Sequence, residues 1–157
     1  MAKIVDNYDS PDAKDENGAV DCMTTPRNEV KSHYNIGDRG PGSGTVFHID
    51  GEKGYEVSDD LGKHTWEEAK RIAESYCGGD FNDWRLPTIE DLNLVYQNLW
   101  KLGIIKGGAR YWSSSKMHHE KFENLFWSQK FSEWFSLGAD SVNFEHSVRV
   151  IRSFSIS

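Results

Sequence analysis

Cysteine is scarce in this chain. Among 157 residues only Cys22 and Cys77 occur, and they form no Cys-x-x-Cys pair. That spacing is what structural zinc sites and thioredoxin-type redox motifs need, so neither is expected. One disulfide or two free thiols are the alternatives left. No apolar run reaches the 18 or so residues of a membrane span, so no membrane insertion is expected. The opening Met1-Ala2-Lys3-Ile4-Val5-Asp6 lacks the apolar core of a secretory leader. The chain is then either not exported this way or a processed form. There is no Gly-x-Ser-x-Gly elbow and no acid placed to orient a base, so Ser113-Ser114-Ser115 beside His118-His119 reads as strand hydroxyls rather than as a nucleophile.

What is present is aromatic. Hydrophobic residues make up only 37%, but 13% are Phe, Trp or Tyr, and each buries a large area. Charge is uneven. Residues 1–100 hold 10 Lys/Arg against 20 Asp/Glu, a net of −10, whereas residues 101–157 hold 8 against 5, a net of +3. An acidic chain is a poor candidate for nucleic-acid binding, and no nucleic-acid partner is expected. The more basic C-terminal part is the side suited to an acidic or polar partner.

Residues 1–35 are polar, aperiodic and rich in turn formers (Ser10-Pro11, Asn17-Gly18, Thr25-Pro26), and read as an arm or linker. Residues 36–157 read as one domain. A glycine-rich turn, Ile36 to Gly44, leads into a strand from Thr45 to Asp50, a turn over Gly51–Gly54, and a return strand Tyr55–Val57. A strand follows those glycines where a phosphate loop needs a helix, so they are read as structural.

Two helices follow. Thr65 with Glu68, and Thr88 with Asp91, have the spacing of capping boxes. The first helix is expected from about Trp66 to Cys77, closed by Gly78-Gly79, and the second from about Ile89 to Leu102. Between them lies the stretch about which the chain is organised, Gly79 to Thr88, with Trp84 and Leu86 at period 2 and Pro87 before the second helix. Asp83 and Arg85 are expected to hydrogen-bond across it.

The remainder is β: short strands at Tyr111–Ser115, Leu125–Phe131 and Trp134–Leu137, and a last one from Ser147 to Phe154. Polar loops fill 116–124 and 138–146. Period 2 puts Leu125, Trp127, Gln129 and Phe131 on the core face, and sends Arg149 and Arg152 to opposite faces.

The ordered set Gly37-Asp38-x-Gly40-Pro41, Thr65-Trp66-x-x-Ala69, Asp83-Trp84-Arg85-Leu86-Pro87-Thr88, Tyr111-Trp112-Ser113-Ser114 and Val148-Arg149-x-x-Arg152-Ser153-Phe154 resembles the C-terminal domain family of the Legionella collagen-like protein, a branch of the C-type-lectin-like fold. The resemblance spans about residues 36–154. It implies an α+β domain with two helices on a small antiparallel sheet and its ends close together. It also implies a non-enzymatic module, extracellular or at the cell surface, that binds glycans or other surface ligands. Some relatives of this fold are diversified binding proteins whose C-terminal positions are varied by a dedicated retroelement. Asp83, Trp84, Arg85, Trp112, Arg149 and Arg152 become its structural motif residues. Many relatives place a cysteine where this chain has Val150, a candidate partner for the helix-one cysteine; here the resemblance leaves that family disulfide open, with Cys22 as the alternative partner for Cys77.

The ligand-binding candidates are Lys116, His118, His119, Lys121, Lys130, Trp134 and His146, cationic and aromatic groups on loops over a rigid scaffold. No cofactor is required. Asp80-x-Asn82-x-Trp84 begins like a calcium loop, but Arg85 takes the place of the glycine that an EF-hand needs. A lectin-like calcium site using Asp80 and Asp83 stays open. The alternatives are a structural tip of a phage or fibre particle that forms a homo-oligomer through the arm, and an enzyme of the formylglycine-generating branch, which would need cysteine chemistry.

Overall fold

In the computed structural model, which describes residues 33–134 and 136–156, both threonine caps form as their spacing requires. The arm as far as residue 32, and Cys22 with it, lies outside the described residues. Helix α1 (Trp66–Ser75) starts at Thr65, whose side chain accepts from the Glu68 N–H while Glu68 accepts from the Thr65 N–H. The Thr65 N–H, donating to the Glu68 carboxylate, is the main cause that lowers the Glu68 pKa. Helix α2 (Ile89–Val95) repeats the device with Thr88 and Asp91, then widens into a π-helical turn over Tyr96–Trp100. Helix α1 stops short of the expected Cys77. Tyr76 is already extended, and a 3-10 turn over Gly78–Asp80 follows, with Gly79 at φ +67°. Only glycine suits Gly79, because a Cβ there would sit 2.3 Å from the Gly42 Cα.

The strands make two sheets, where one small sheet was expected. The first holds β1 (Thr45–Asp50), β2 (Lys53–Val57) and β8 (Ile151–Ser155) in the order β1-β2-β8, all antiparallel. The second holds β3 (Lys63–His64), β4 (Arg110–Met117), β5 (Leu125–Lys130), β6 (Ser136–Ser141) and β7 (His146–Ser147) in the order β3-β7-β4-β5-β6. Its one parallel contact joins Tyr111 to Ser147. The plan is α+β, with the first and last strands of the domain in one small sheet and the helices packed on antiparallel strands. Its ends meet, since Tyr34 and Phe154 pack edge to face at 5.0 Å. Tyr34, assigned to the arm on sequence, belongs to the core.

Two strand assignments shift. The strand expected at Trp134–Leu137 runs instead from Ser136 to Ser141 and takes up half of the expected 138–146 loop. The closing strand is broken, because Ser147 pairs in the second sheet and Ile151–Ser155 in the first. The chain changes sheets between them, through the buried Val148 and Val150.

Packing explains why two sheets hold together. Helix α2 lays Leu92, Val95 and Leu99 between Phe47, Val57 and Ile151 of the first sheet side and Tyr111 and Phe131 of the second. Helix α1 packs Ala69 and Ala73 on Trp112, Val148 and Val150. Each large side chain so buried contributes about 1.5–3 kcal/mol.

The Trp84–Thr88 segment ties the sheets directly. The Arg85 backbone exchanges two hydrogen bonds with Ile151 of β8 (2.9 and 2.8 Å), and the Pro87 carbonyl accepts from Ser114 of β4 at 2.8 Å. Trp84 and Leu86 turn into the core, and Arg85 turns out. A buried ion cluster pins the same segment. Arg152 of β8 donates to Glu56 at 2.7 Å and to Asp83 at 2.8 Å, and Glu56 accepts the Gly42 and Gly44 N–H groups at 2.8 Å each.

Candidate functional site

The β4–β5 hairpin ends in an exposed excursion, residues 118–124, held at its base by cross-strand pairs of Met117 with Leu125 and Lys116 with Phe126. Hydroxyls stiffen the base. Ser113 Oγ donates to the Trp127 carbonyl at 2.6 Å and accepts the Ser115 N–H, Ser114 Oγ donates to the Pro87 carbonyl, and Ser115 Oγ accepts the Ile89 N–H. The three serines therefore serve backbone groups, as expected. Above them the tip folds over a cavity of about 310 Å³, bounded by Lys116, His118, His119, Glu120, Phe122 and Glu123, with Met117 at its base. His119 Nδ1 accepts the Lys121 N–H at 3.0 Å, and its ring lies 5.0 Å from that of Phe122.

The seven sequence candidates do not form one surface. Lys116, His118, His119 and Lys121 share the tip. Lys130 sits at the far end of β5, paired with Arg110 and Ser136, and Trp134 follows it in the next turn, 82% exposed. His146 is not on a loop. It pairs with His64 through β7, donates from Nε2 to the Asp140 carboxylate at 2.8 Å, and packs its ring 4.5 Å from that of Trp112. The tip is also less cationic than its lysines suggested, because the same cavity holds Glu120 and Glu123. Those glutamates were legible as loop residues, but nothing in the spacing put them beside Lys116.

The motif residues are structural, with one correction. Asp83 and Arg85 do not bond to each other. Asp83 pairs with Arg152, and Arg85 pairs with Asp91 of α2 at 3.0 Å, because the extended backbone at Arg85 turns the two side chains to different neighbours. Trp84 donates to the Gly78 carbonyl and Trp112 to the His64 carbonyl. Arg149 donates to the Ser58 carbonyl and lies over Tyr111, whereas Arg152 lies over Phe81, so the two arginines have separate roles. Burial raises the Tyr111 phenol pKa, with Arg149 opposing and Asp60 adding to the effect.

On sequence, Trp66 opens the first helix and Phe126 falls on the face of its strand away from the expected core. In the structure these two rings stack at 3.8 Å and form the floor of a groove of about 480 Å³ between α1 and the hairpin. Trp84, Leu86 and Ala73 complete its apolar walls, and Lys70, Glu74 and Arg85 stand at its rim. A half-buried aromatic at the first position of a helix, facing a half-buried aromatic on a strand, is the signal that would have found it. Trp127, expected in the core, is half-buried, because β5 lies inside its sheet and both of its faces are partly covered.

Among the described residues no three His, Cys, Asp or Glu side chains converge as a metal site would need. Cys77 is buried and disulfide-bonded, and the sequence holds one other cysteine, Cys22.

No protein-family model matches the sequence, and no curated protein matches it. Among solved structures the chain is similar to EMS16, an antagonist of the collagen receptor integrin alpha2beta1, at 12% identity over 66% of this chain and 94% of that one, with a TM-score of 0.41. It is similar also to the C-type lectin CEL-I from Cucumaria echinata (14% identity, 66% and 91% covered, TM-score 0.38) and to an EPNH mutant of CEL-I (12%, 69% and 94%, 0.40). At such identities and scores the likeness says nothing of what this chain binds, and the narrower Legionella family rests on the motifs alone.

Proposed function

We propose that this chain is a non-enzymatic ligand-binding module that takes a hydroxyl-rich ligand, a glycan free or on a surface protein, at the tip of the β4–β5 hairpin. One observation carries the reading: Lys116, Glu120, Glu123 and an exposed Phe122 share a single open cavity with two histidines. Carboxylates accept from sugar hydroxyls, an ammonium donates to them, and an aromatic face covers the C–H side of a sugar ring. Near balance of charge suits a neutral glycan better than the sulfated one that lysines alone would favour. The serines beneath are engaged with backbone and Cys77 is in a disulfide, which supports binding rather than catalysis. A disulfide also fits the oxidising surroundings of an extracellular or surface protein.

The test is calorimetry of the full chain against neutral and sulfated glycans, with and without a chelator. Neutral glycans should bind, with the chelator making no difference. The Glu120→Gln/Glu123→Gln pair or Phe122→Ala should weaken binding at least about tenfold, the scale of a lost charge-assisted contact. Lys116→Ala should weaken it too, and Lys130→Ala at the other end of β5 should not. Unchanged affinity in the glutamate pair and in Phe122→Ala would sink this site.

A second reading, a component of a larger particle, is favoured by the opposite end of the domain. There Trp134 and Leu102 are the most exposed large apolar residues among those described, beside a groove of about 400 Å³ lined by Tyr96, Trp100, Lys101 and Glu133. If this end meets another copy of the chain, sizing will show an oligomer that Trp134→Ser dissolves; a monomer at high concentration removes the reading.

A further inference from the structure

We infer that the groove between α1 and the β4–β5 hairpin is a second binding site, separate from the hairpin tip, and that it takes a small aromatic carboxylate. Its volume of about 480 Å³ lies within the range of small-molecule sites, which are mostly apolar with a few polar groups to orient the ligand. It shares no lining residue with the tip cavity.

The chemistry of the ligand follows from which polar atoms are already engaged. Both indole N–H groups are committed, Trp66 to the Ser113 carbonyl and Trp84 to the Gly78 carbonyl, each at 3.0 Å. The two hydroxyls on the wall are each engaged in one role. Ser114 donates to Pro87, and Thr88 accepts the Asp91 N–H. The walls thus present mostly carbon, with the Thr88 O–H and the Ser114 lone pairs as their remaining polar capacity, which suits a flat apolar ring. A sugar, whose hydroxyls each lose water on entering, is poorly served there.

Charged groups are confined to the rim. Lys70 makes no hydrogen bond or ion pair among the described residues; its ammonium stands 5.8 Å from the Trp66 ring centroid. Arg85 uses only Nη1, on Asp91 and the Leu86 carbonyl, and leaves Nε and Nη2 without a partner among the described residues. Glu74 stands a turn beyond Lys70 on the same helix, and Asp91 already pairs with Arg85, so the rim is close to neutral. What the rim leaves over is donors, the Lys70 ammonium and the Arg85 Nε and Nη2, from which a carboxylate accepts and an amine does not.

The experiment uses the full chain and two probes of the same shape, 2-naphthoate and neutral 2-naphthamide, followed by calorimetry and by the indole N–H signals in ¹H–¹⁵N spectra. Naphthoate should bind saturably and move the Trp66 and Trp84 signals. The amide should bind roughly fivefold more weakly, the scale of one exposed charge contact. Lys70→Gln should abolish that difference. Ser114→Phe, which fills the groove from an exposed wall position, should abolish binding of both probes, and Lys70→Gln should leave glycan binding at the tip unchanged. Should Ser114→Phe melt early, Lys70→Glu decides in its place, with naphthoate lost and naphthamide retained. Absence of saturable binding, equal affinities for acid and amide, or full binding in a folded Ser114→Phe variant would each overturn the inference. Because the tip is read with glycans and the groove with naphthyl probes, failure of one site is distinguishable from failure of the other.

Discussion

Replacing Arg152 with Met tests the ion cluster on which the Trp84–Thr88 segment depends. Glu56 is fully buried and its carboxylate accepts from Gly42, Gly44 and Arg152. Methionine keeps much of the volume and removes the charge, so Glu56 is left in the interior without its cation. Breaking a buried pair from one side costs about 3–5 kcal/mol. Two N–H donors remain on Glu56, which favours the lower part of that range. The second partner adds little, because the Asp83 side chain is 56% exposed and solvent screens it. Losing the cation over Phe81, at 3.7 Å, contributes up to about 1 kcal/mol more. The expected loss is therefore about 3–4 kcal/mol, a large share of the ~5–15 kcal/mol that holds a domain folded. At ~3–4 °C per kcal/mol for a domain of this size, the melting point should fall by about 10–15 °C. Circular dichroism melts and urea titrations measure this. The companion Glu56→Gln should also destabilise, and the double variant should be more stable than the two single losses predict, by at least about 1 kcal/mol. An Arg152→Met loss under about 1 kcal/mol, or strict additivity in the double variant, would refute the reasoning.

Thr88→Ala removes a cap and should cost about 1 kcal/mol, read from the urea midpoint; Thr65→Ala should behave alike. Gly79→Ala needs a left-handed alanine whose Cβ overlaps the Gly42 backbone, and should lose on the order of 2 kcal/mol or more, or fail to give soluble protein. Trp134→Ser, at an 82% exposed site, should leave the melting point within about 2 °C of the parent. Tyr76 and Tyr111 have pKa values raised chiefly by burial, so the folded state holds those protons more tightly than the unfolded chain. Their contribution is complete below the ordinary phenol value of about 10 and is lost as pH rises through the raised value. Melts between pH 8 and 11.5 should show that alkaline decline, and it should flatten in the Tyr76→Phe/Tyr111→Phe double variant; an unaltered decline there would show that other groups cause it.

Local rules carried far in this sequence. The capping boxes at Thr65 and Thr88, the glycine at the left-handed turn, and the period-2 burial of Trp84 and Leu86 all depend on residues a few positions apart, and all appear where the pattern put them. Long-range pairing was not legible. Arg152 lies 69 residues from Asp83 and 96 from Glu56, so no local signal could prefer it over nearby Arg85 as the partner of Asp83. The division into two sheets was hidden for the same reason, since residues 148–150 look like the middle of one apolar strand until Ser147 and Ile151 find different partners. Of the candidate site, the tip could be seen as a polar loop, but His146 could not be told from a loop histidine until β7 paired with β3. The groove needs Trp66 and Phe126 side by side, and those residues lie on different elements 60 positions apart.

The contact of Tyr34 with Phe154 has a use beyond holding the first sheet closed. A domain whose two ends leave at one place behaves, to any chain it is spliced into, like a short loop. Closing such a loop costs little entropy, and the cost grows only slowly with the length enclosed. The unit between those two rings can therefore be set into a surface turn of an unrelated scaffold, with the hairpin tip and the groove carried along and neither end of the host displaced.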